Sequence, residues 1–204
     1  MVLFPQMPAH LHIFEPRYKE MIQRCIAEDL PFGIVLIRHG LEVGGAPAEP
    51  HAVGCTARIT RVEHLEDGRM NLTALGEQRF RIRSLDRSRA YLTGLVELED
   101  LAHPCGVVMQ RGARALAPWV RQVLHGISAL DPEAELDLRE LVLPEDPLML
   151  MYLSAMLLQV PAVEKQPLLE APDAPEMLNS LLRLYRREAA LLAHLRPVAS
   201  PELN

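Results

Sequence analysis

Lysine is almost missing from this sequence. Lys19 and Lys165 are the only two, and no glycine is followed by lysine anywhere. A Gly-Lys phosphate cradle is therefore excluded, and enzymes that depend on a catalytic lysine have almost no candidate. Neither Ser-x-x-Lys nor G-x-S-x-G occurs, which removes the usual settings of an activated serine. Cysteine is scarce too. Cys25, Cys55 and Cys105 are odd in number, far apart and never in C-x-x-C, so neither a disulfide framework nor a zinc knuckle is suggested. Reduced, buried thiols of a cytoplasmic protein are expected instead. The net charge of −6 argues against general polyanion binding, which relies on Lys and Arg neutralising phosphates. No basic stretch followed by an apolar run opens the chain. The longest apolar stretch, PLMLMYLSAMLLQV (Pro147 to Val160), is shorter than the roughly 20 residues that a spanning helix needs. It is expected to be a buried helix, with no membrane partner.

What remains is a sequence built to fold. With 49% hydrophobic and 24% charged residues, it lies far from the composition of disordered chains. Its first half alternates strand patterns with turn signals. FGIVLI (Phe32 to Ile37) is a continuous apolar run, expected as a strand buried on both faces. EVGGAPAEPHAVG (Glu42 to Gly54) is dense in Gly and Pro and predicts a loop. TARITRVEHL alternates, EDGR (Glu66 to Arg69) predicts a hairpin whose two central residues tolerate positive φ, and MNLTAL returns. RFRIRSL then sets Phe80 and Ile82 on one face and Arg79, Arg81 and Arg83 on the other, and AYLTGLVELE alternates in turn. Short antiparallel strands in succession predict a barrel or closed sheet.

Beyond DLAHPCG (Asp100 to Gly106) the period becomes helical. VVMQRGARALAPWVRQVLHGI reads as a helix that Pro118 kinks or breaks, and PEAELDLREL as a short amphipathic piece. Asp146 followed by Pro147 predicts an N-cap and first helical residue. VEKQPLLEA is expected as one to three turns interrupted by Pro167. APEMLNSLLRLYRREAALLAHL carries a wide apolar stripe. The chain is thus expected as a β-rich half over 1–102 and a helical half over 103–204.

Two clusters are candidates for chemistry. HIFEPRYKEM reads as a strand ending at Phe14 and a helix opening at Pro16, with Glu15 beside the positive helix terminus. Packing accounts for Glu15, Pro16 and the apolar stripe without chemistry and is the expected reading, with a ligand contact by Arg17 or Tyr18 as the alternative. The row Arg79, Arg81 and Arg83, extended by Arg87 and Arg89, could clamp phosphates or carboxylates. The expected reading is a solvated strand face paired with Glu97 or Glu99 of the next strand. His10 and His12 lie two apart without the acidic company of a metal site. Phe14, Glu15, Arg17, Tyr18, Arg79, Arg81 and Arg83 are the candidate partner-binding residues. No catalytic, metal or cofactor residue is assigned, and no cofactor is expected.

VLFPQMPAHLHIFEPRYKEM, FGIVLI, EVGG, VGCTARI, LEDGRMNLTALGEQRFRI and YLTGLVELED, with the helical LSAMLLQVPAVEKQPLLEAPDAPEMLNSLLRLYRRE, together resemble the N-terminal, substrate-binding domain of the ATP-dependent protease Lon. The likeness runs over nearly the whole chain and is nearer to the free-standing bacterial versions of that domain. It implies an α+β fold: a PUA-like antiparallel β-barrel with an inserted helix, followed by an α-helical bundle. The ATPase and Ser-Lys protease modules that follow this domain in Lon have no counterpart here, so the chain is not expected to be an enzyme. The family usually opens with an extra strand of the type PLFPL and has Gly where Gln6 stands. A sheet edge is accordingly expected to be bare, with Val2 to Met7 against the barrel near it.

The resemblance implies a noncatalytic module that binds unfolded or exposed polypeptide segments or a protein partner. The expected surface is the cleft between barrel and bundle, with self-association as a further use of the bare edge. The alternative is a PUA-like nucleic-acid binder using the Arg-rich strand, though the net charge makes nucleic acid the lesser expectation. A small-molecule pocket protein or unrecognised hydrolase is a third.

Overall fold

The structure is a computed structural model that describes residues 1–40, 48–103, 106–130 and 141–195. It is α+β. In chain order the elements are β1 (Pro8–Ile13), α1 (Pro16–Ala27), β2 (Phe32–Ile34), β3 (Ile37–His39), β4 (Glu49–Pro50), β5 (Val53–His64), β6 (Met70–Asp86) and β7 (Thr93–Glu99). They are followed by α2 (Gly106–Leu130), α3 (Pro147–Leu157), α4 (Ala162–Leu169) and α5 (Ala174–Leu195). No described helix is long and apolar enough to cross a membrane. The chain divides into two compact units. One comprises Met1–Ala102 and Ala155–Pro172, the other His103–Ser154 and Asp173–Asn204. Ala155–Pro172, expected with the helical half, therefore groups with the strands.

The first unit is organised on the long hairpin β5–β6. Its turn holds Gly68 at φ 74, and Asp67, which the sequence reading also allowed a positive φ, does not take one. Gly68 N–H donates to the Leu65 carbonyl and Leu65 N–H to that of Arg69. This is a type I turn closed by one left-handed glycine rather than a two-residue turn. β1 lies antiparallel on the first half of β6, β7 on its second half, and β2 on β5. The path is β1-β6-β5-β2, with β7 beside β6 and a separate pair β3-β4.

The expected closure is absent among the described residues: the antiparallel sheet is open, because β7 pairs only with β6 and β2 only with β5. Nor is FGIVLI one strand buried on both faces. It divides into β2 and β3 around Val35 and Leu36, and of its residues only Phe32 is buried. The expected loop over Glu42–Gly54 contains β4 and the start of β5, while residues 41–47 lie outside the described residues. The short amphipathic piece expected from Pro132 lies outside them too, apart from Leu141.

Leu3, Phe4 and Met7 are buried, each such side chain contributing about 1.5–3 kcal/mol. Val2 to Met7 accordingly lies against this unit, with Gln6 N–H donating to the Gly76 carbonyl at 2.7 Å and Gly76 N–H to that of Met7 at 2.9 Å. Only glycine fits at position 76, since a Cβ there would stand 2.3 Å from the Phe4 carbonyl oxygen.

α4 is sewn onto the strands by polar side chains. Gln166 Nε2 donates to the Val53 carbonyl at 2.9 Å and to Glu170 at 2.9 Å, and His51 Nδ1 lies 3.1 Å from Glu170 Oε1. These bonds explain why 155–172 keeps company with the sheet.

In the second unit, α2 runs on through Pro118 without a break. Asp146 caps α3 as expected, accepting from Met149 N–H at 2.7 Å. Asp173 does the same for α5 through Glu176 N–H at 2.8 Å. Met177, Leu181, Tyr185 and Ala189 are buried on the stripe of α5, and Leu116, Val120 and Leu124 on α2. The Tyr185 hydroxyl donates to the Ser154 carbonyl at 2.8 Å, and burial holds its ionisation above the ordinary range.

Candidate functional site

The β6–β7 ribbon has two chemically distinct faces. On one, Phe80 lies opposite Leu98 and Ile82 opposite Val96. An irregularity between Ile82 and Ser84 shifts the alternation by one, so that Leu85, opposite Gly94, continues the same apolar face. This face lines a groove of about 1010 Å³, completed by Leu30 to Gly33, Val35 and Tyr91 to Thr93. Phe80 is buried at 4% exposure, while Leu98 at 55% and Val96 at 37% stand open. Ile82, expected to be buried, is half-buried, because no strand covers it across the groove.

The groove's charged side chains are all hydrogen-bonded, the Asp100 carboxylate by Gln78 Nε2 at 2.7 Å. Arg24 donates to Glu28 at 3.0 Å and Arg58 to Glu77 at 2.5 Å. The hydrogen bond from Arg24 holds the Glu28 carboxyl below its ordinary range.

The opposite face of the ribbon carries the arginine row, which was expected to point to solvent. Arg79 does not. It is 5% exposed and donates through Nη1 to the carbonyls of Leu169 and Ala171, at 2.9 and 2.7 Å, and through Nη2 to that of Asp100 at 3.2 Å. A cation at the last carbonyls of α4 meets the negative end of the helix, and the segment that contains α4 is what takes Arg79 out of solvent. Arg81 makes a two-pronged contact with Glu99 at 2.6 and 3.1 Å, and Arg83 grips Glu97. The anticipated pairing with Glu97 and Glu99 holds. None of the three guanidiniums reaches the groove.

A second hollow, about 650 Å³, adjoins the groove and shares Met21, Phe32, Gly33, Val35, Tyr91 and Leu92 with it. The strand-to-helix corner builds one wall: Phe14, Glu15, Arg17 and Tyr18 all line it. Glu15 is the N-cap of α1 by its backbone, its carbonyl accepting from Tyr18 and Lys19 N–H. Its carboxylate makes no cap bond and instead takes Arg17 Nε at 2.8 Å. The Arg17 guanidinium lies 4.5 Å above the Tyr18 ring. Phe14 is 59% exposed. Arg87 and Arg89 face the same hollow.

The sequence clusters thus separate: the corner residues meet at one hollow, and the row Arg79, Arg81 and Arg83 lies away from it. The apolar groove had one sequence signal, Val96 and Leu98 on one face of a strand with no further strand after it among the described residues. Among the described residues, no cluster of three or more His, Cys, Asp or Glu could hold a metal.

An α+β chain with an open antiparallel sheet, a helix inserted after β1 and a helical second unit is the class defined here, and solved structures share it. A Lon N-terminal domain protein from Xanthomonas campestris matches with a TM-score of 0.56 at 23% identity, over 94% of this chain and 92% of that one. The N-terminal domain of Mycobacterium avium complex Lon protease matches with 0.63 at 19%, over 91% and 92%. The chain belongs to the family of the ATP-dependent protease La (LON) substrate-binding domain, whose model matches residues 1–187. By sequence it is similar to Lon protease 2 of Myxococcus xanthus, 27% identical over 94% of this chain, and to Lon protease 2 of Syntrophobacter fumaroxidans, 26% identical over 92%. It spans 23% of the length of each. The matched part is the substrate-binding domain, with no ATPase or protease part, and the family supports a role in substrate recognition.

Proposed function

We propose that this chain is a noncatalytic, cytoplasmic recognition module that holds apolar polypeptide segments in the groove on the β6–β7 face. The observation that carries this reading is the groove itself: an apolar, open surface whose charged side chains are hydrogen-bonded to protein partners, built in a substrate-binding domain. A concave apolar surface of this size suits side chains of an unfolded segment. Free thiols at Cys25 and Cys55 fit a reducing compartment. The nucleic-acid alternative draws little from the arginine row, since Arg79 is buried and Arg81 and Arg83 are engaged by glutamates.

The test is fluorescence anisotropy with a labelled, permanently unfolded polypeptide and with single-stranded RNA, each over a salt series. Polypeptide binding that changes little with salt and weakens about tenfold or more in Leu98→Asp is expected, because a charge in an apolar contact is costly. Tight RNA binding with a steep salt slope, unaffected by Leu98→Asp, would overturn the reading.

A further inference from the structure

Among the described residues, β7 is paired along one edge only. Its seven residues, at about 3.4 Å each, expose a row of backbone N–H and C=O groups roughly 20 Å long. β2, also paired on one side only, contributes Phe32 and Gly33 to the same groove. The sheet is thus open where an extended segment could lie between β7 and β2, with alternate side chains on the apolar floor of Phe80, Ile82 and Val96. Such an edge is a template for an added strand.

The groove's ends differ in charge. Where β7 begins, it passes at Tyr91 and Leu92 into the second hollow, lined among the described residues by Arg17, Arg87 and Arg89 against a single carboxylate, Glu15. Arg87 donates to the Ala48 carbonyl at 2.8 Å and Arg89 to the Tyr91 hydroxyl at 3.5 Å, both neutral oxygens. Two carboxylates lie within electrostatic reach of Arg89 without an ion pair to it: Asp86 accepts from Ser88 N–H and Oγ at 2.8 and 2.9 Å, and Glu28 accepts from Arg24 at 3.0 Å. Among the described residues neither Arg87 nor Arg89 has an ion-pair partner.

From these observations we infer that the groove takes the apolar C-terminal tail of a polypeptide as an added strand antiparallel to β7, with its terminal carboxylate at Arg87 and Arg89. The polarity follows from the placement: a strand antiparallel to β7 ends where β7 starts, beside the two guanidiniums. A chain terminus sets its charge in line with the strand, whereas acidic side chains alternate across it. This inference rests on the apolar-groove reading above and adds the binding mode, direction and end group.

The experiment uses the full chain and a fluorescein-labelled peptide of Val and Leu alternating with Thr, matched to the length of β7. Amidating its C-terminus should weaken binding about tenfold, and by less than about twofold in Arg87→Gln/Arg89→Gln, whose exposed positions leave the fold intact. N-methylation of alternate peptide bonds should abolish binding in one register and spare it in the other, since a strand with one docked edge uses every second N–H. Both registers binding like the parent, with Leu98→Asp still weakening it, would refute strand addition and leave the groove reading standing. An amidated peptide restored to full affinity by a side-chain carboxylate at any position would refute the terminal preference. Failure of every peptide, with Leu98→Asp also silent, would overturn both readings.

Discussion

Replacing Arg79 by Leu should destabilise the first unit more than any other change on its strand face. Arg79 joins β6 to the end of α4 through three carbonyls at 2.7 to 3.2 Å. A hydrogen bond from a charged donor contributes about 1.5–3 kcal/mol, and an orphaned buried acceptor costs about 1–3 kcal/mol. The Asp100 bond is only part-buried, so water replaces some of it, and Leu recovers some packing. The expected loss is about 3–5 kcal/mol. Arg79→Lys should lie between, since one ammonium cannot span three carbonyls with a planar fork. The half-exposed pairs predict losses under about 1 kcal/mol for Arg81→Gln and Arg83→Gln. Urea unfolding followed by circular dichroism measures all four. Equal, small losses across the row would refute the buried bridge and return Arg79 to the surface.

Burial pushes the Cys55 thiol up to about 12 from its ordinary 9.0. A raised folded value means that stability is intact below about pH 9 and falls as pH rises toward 12, by about 4 kcal/mol over that window. Urea midpoints taken against pH should show this decline in the native chain and a shallower one in Cys55→Ala, the remainder above about pH 10 belonging to buried Tyr185. Gln6 adopts φ 61, where a side chain is strained, so Gln6→Gly should be more stable than Gln6→Ala by about 1 kcal/mol, read from paired thermal melts. Asp146→Ala should cost about 1 kcal/mol by removing the cap of α3, and Asp146→Asn should retain most of it; denaturant midpoints decide.

Local chemistry was legible in the sequence. Pro16 and Pro147 open their helices, Asp146 caps one, and the apolar stripe of α5 is buried through Met177, Leu181 and Tyr185. Alternation in RFRIRSL correctly separated Phe80 and Ile82 from the arginines, because a strand's side chains take opposite faces whatever surrounds them. The corner of Glu15, Arg17 and Tyr18 was also readable, since its contacts are between near neighbours in sequence.

What lies over each face could not be read, because it depends on residues far along the chain. Arg79 is buried by carbonyls about ninety positions away, so its composition and spacing look the same as those of solvated Arg83. Closure of the sheet was a matter of whether β7 finds a partner, and Leu98 and Val96 have the alternation of a covered strand without the cover. Sequence determined which residues share a face. Tertiary structure alone decided which faces stay open, and with that the groove, since an unpaired strand edge and an uncovered apolar side chain are properties of neighbours rather than of the strand itself.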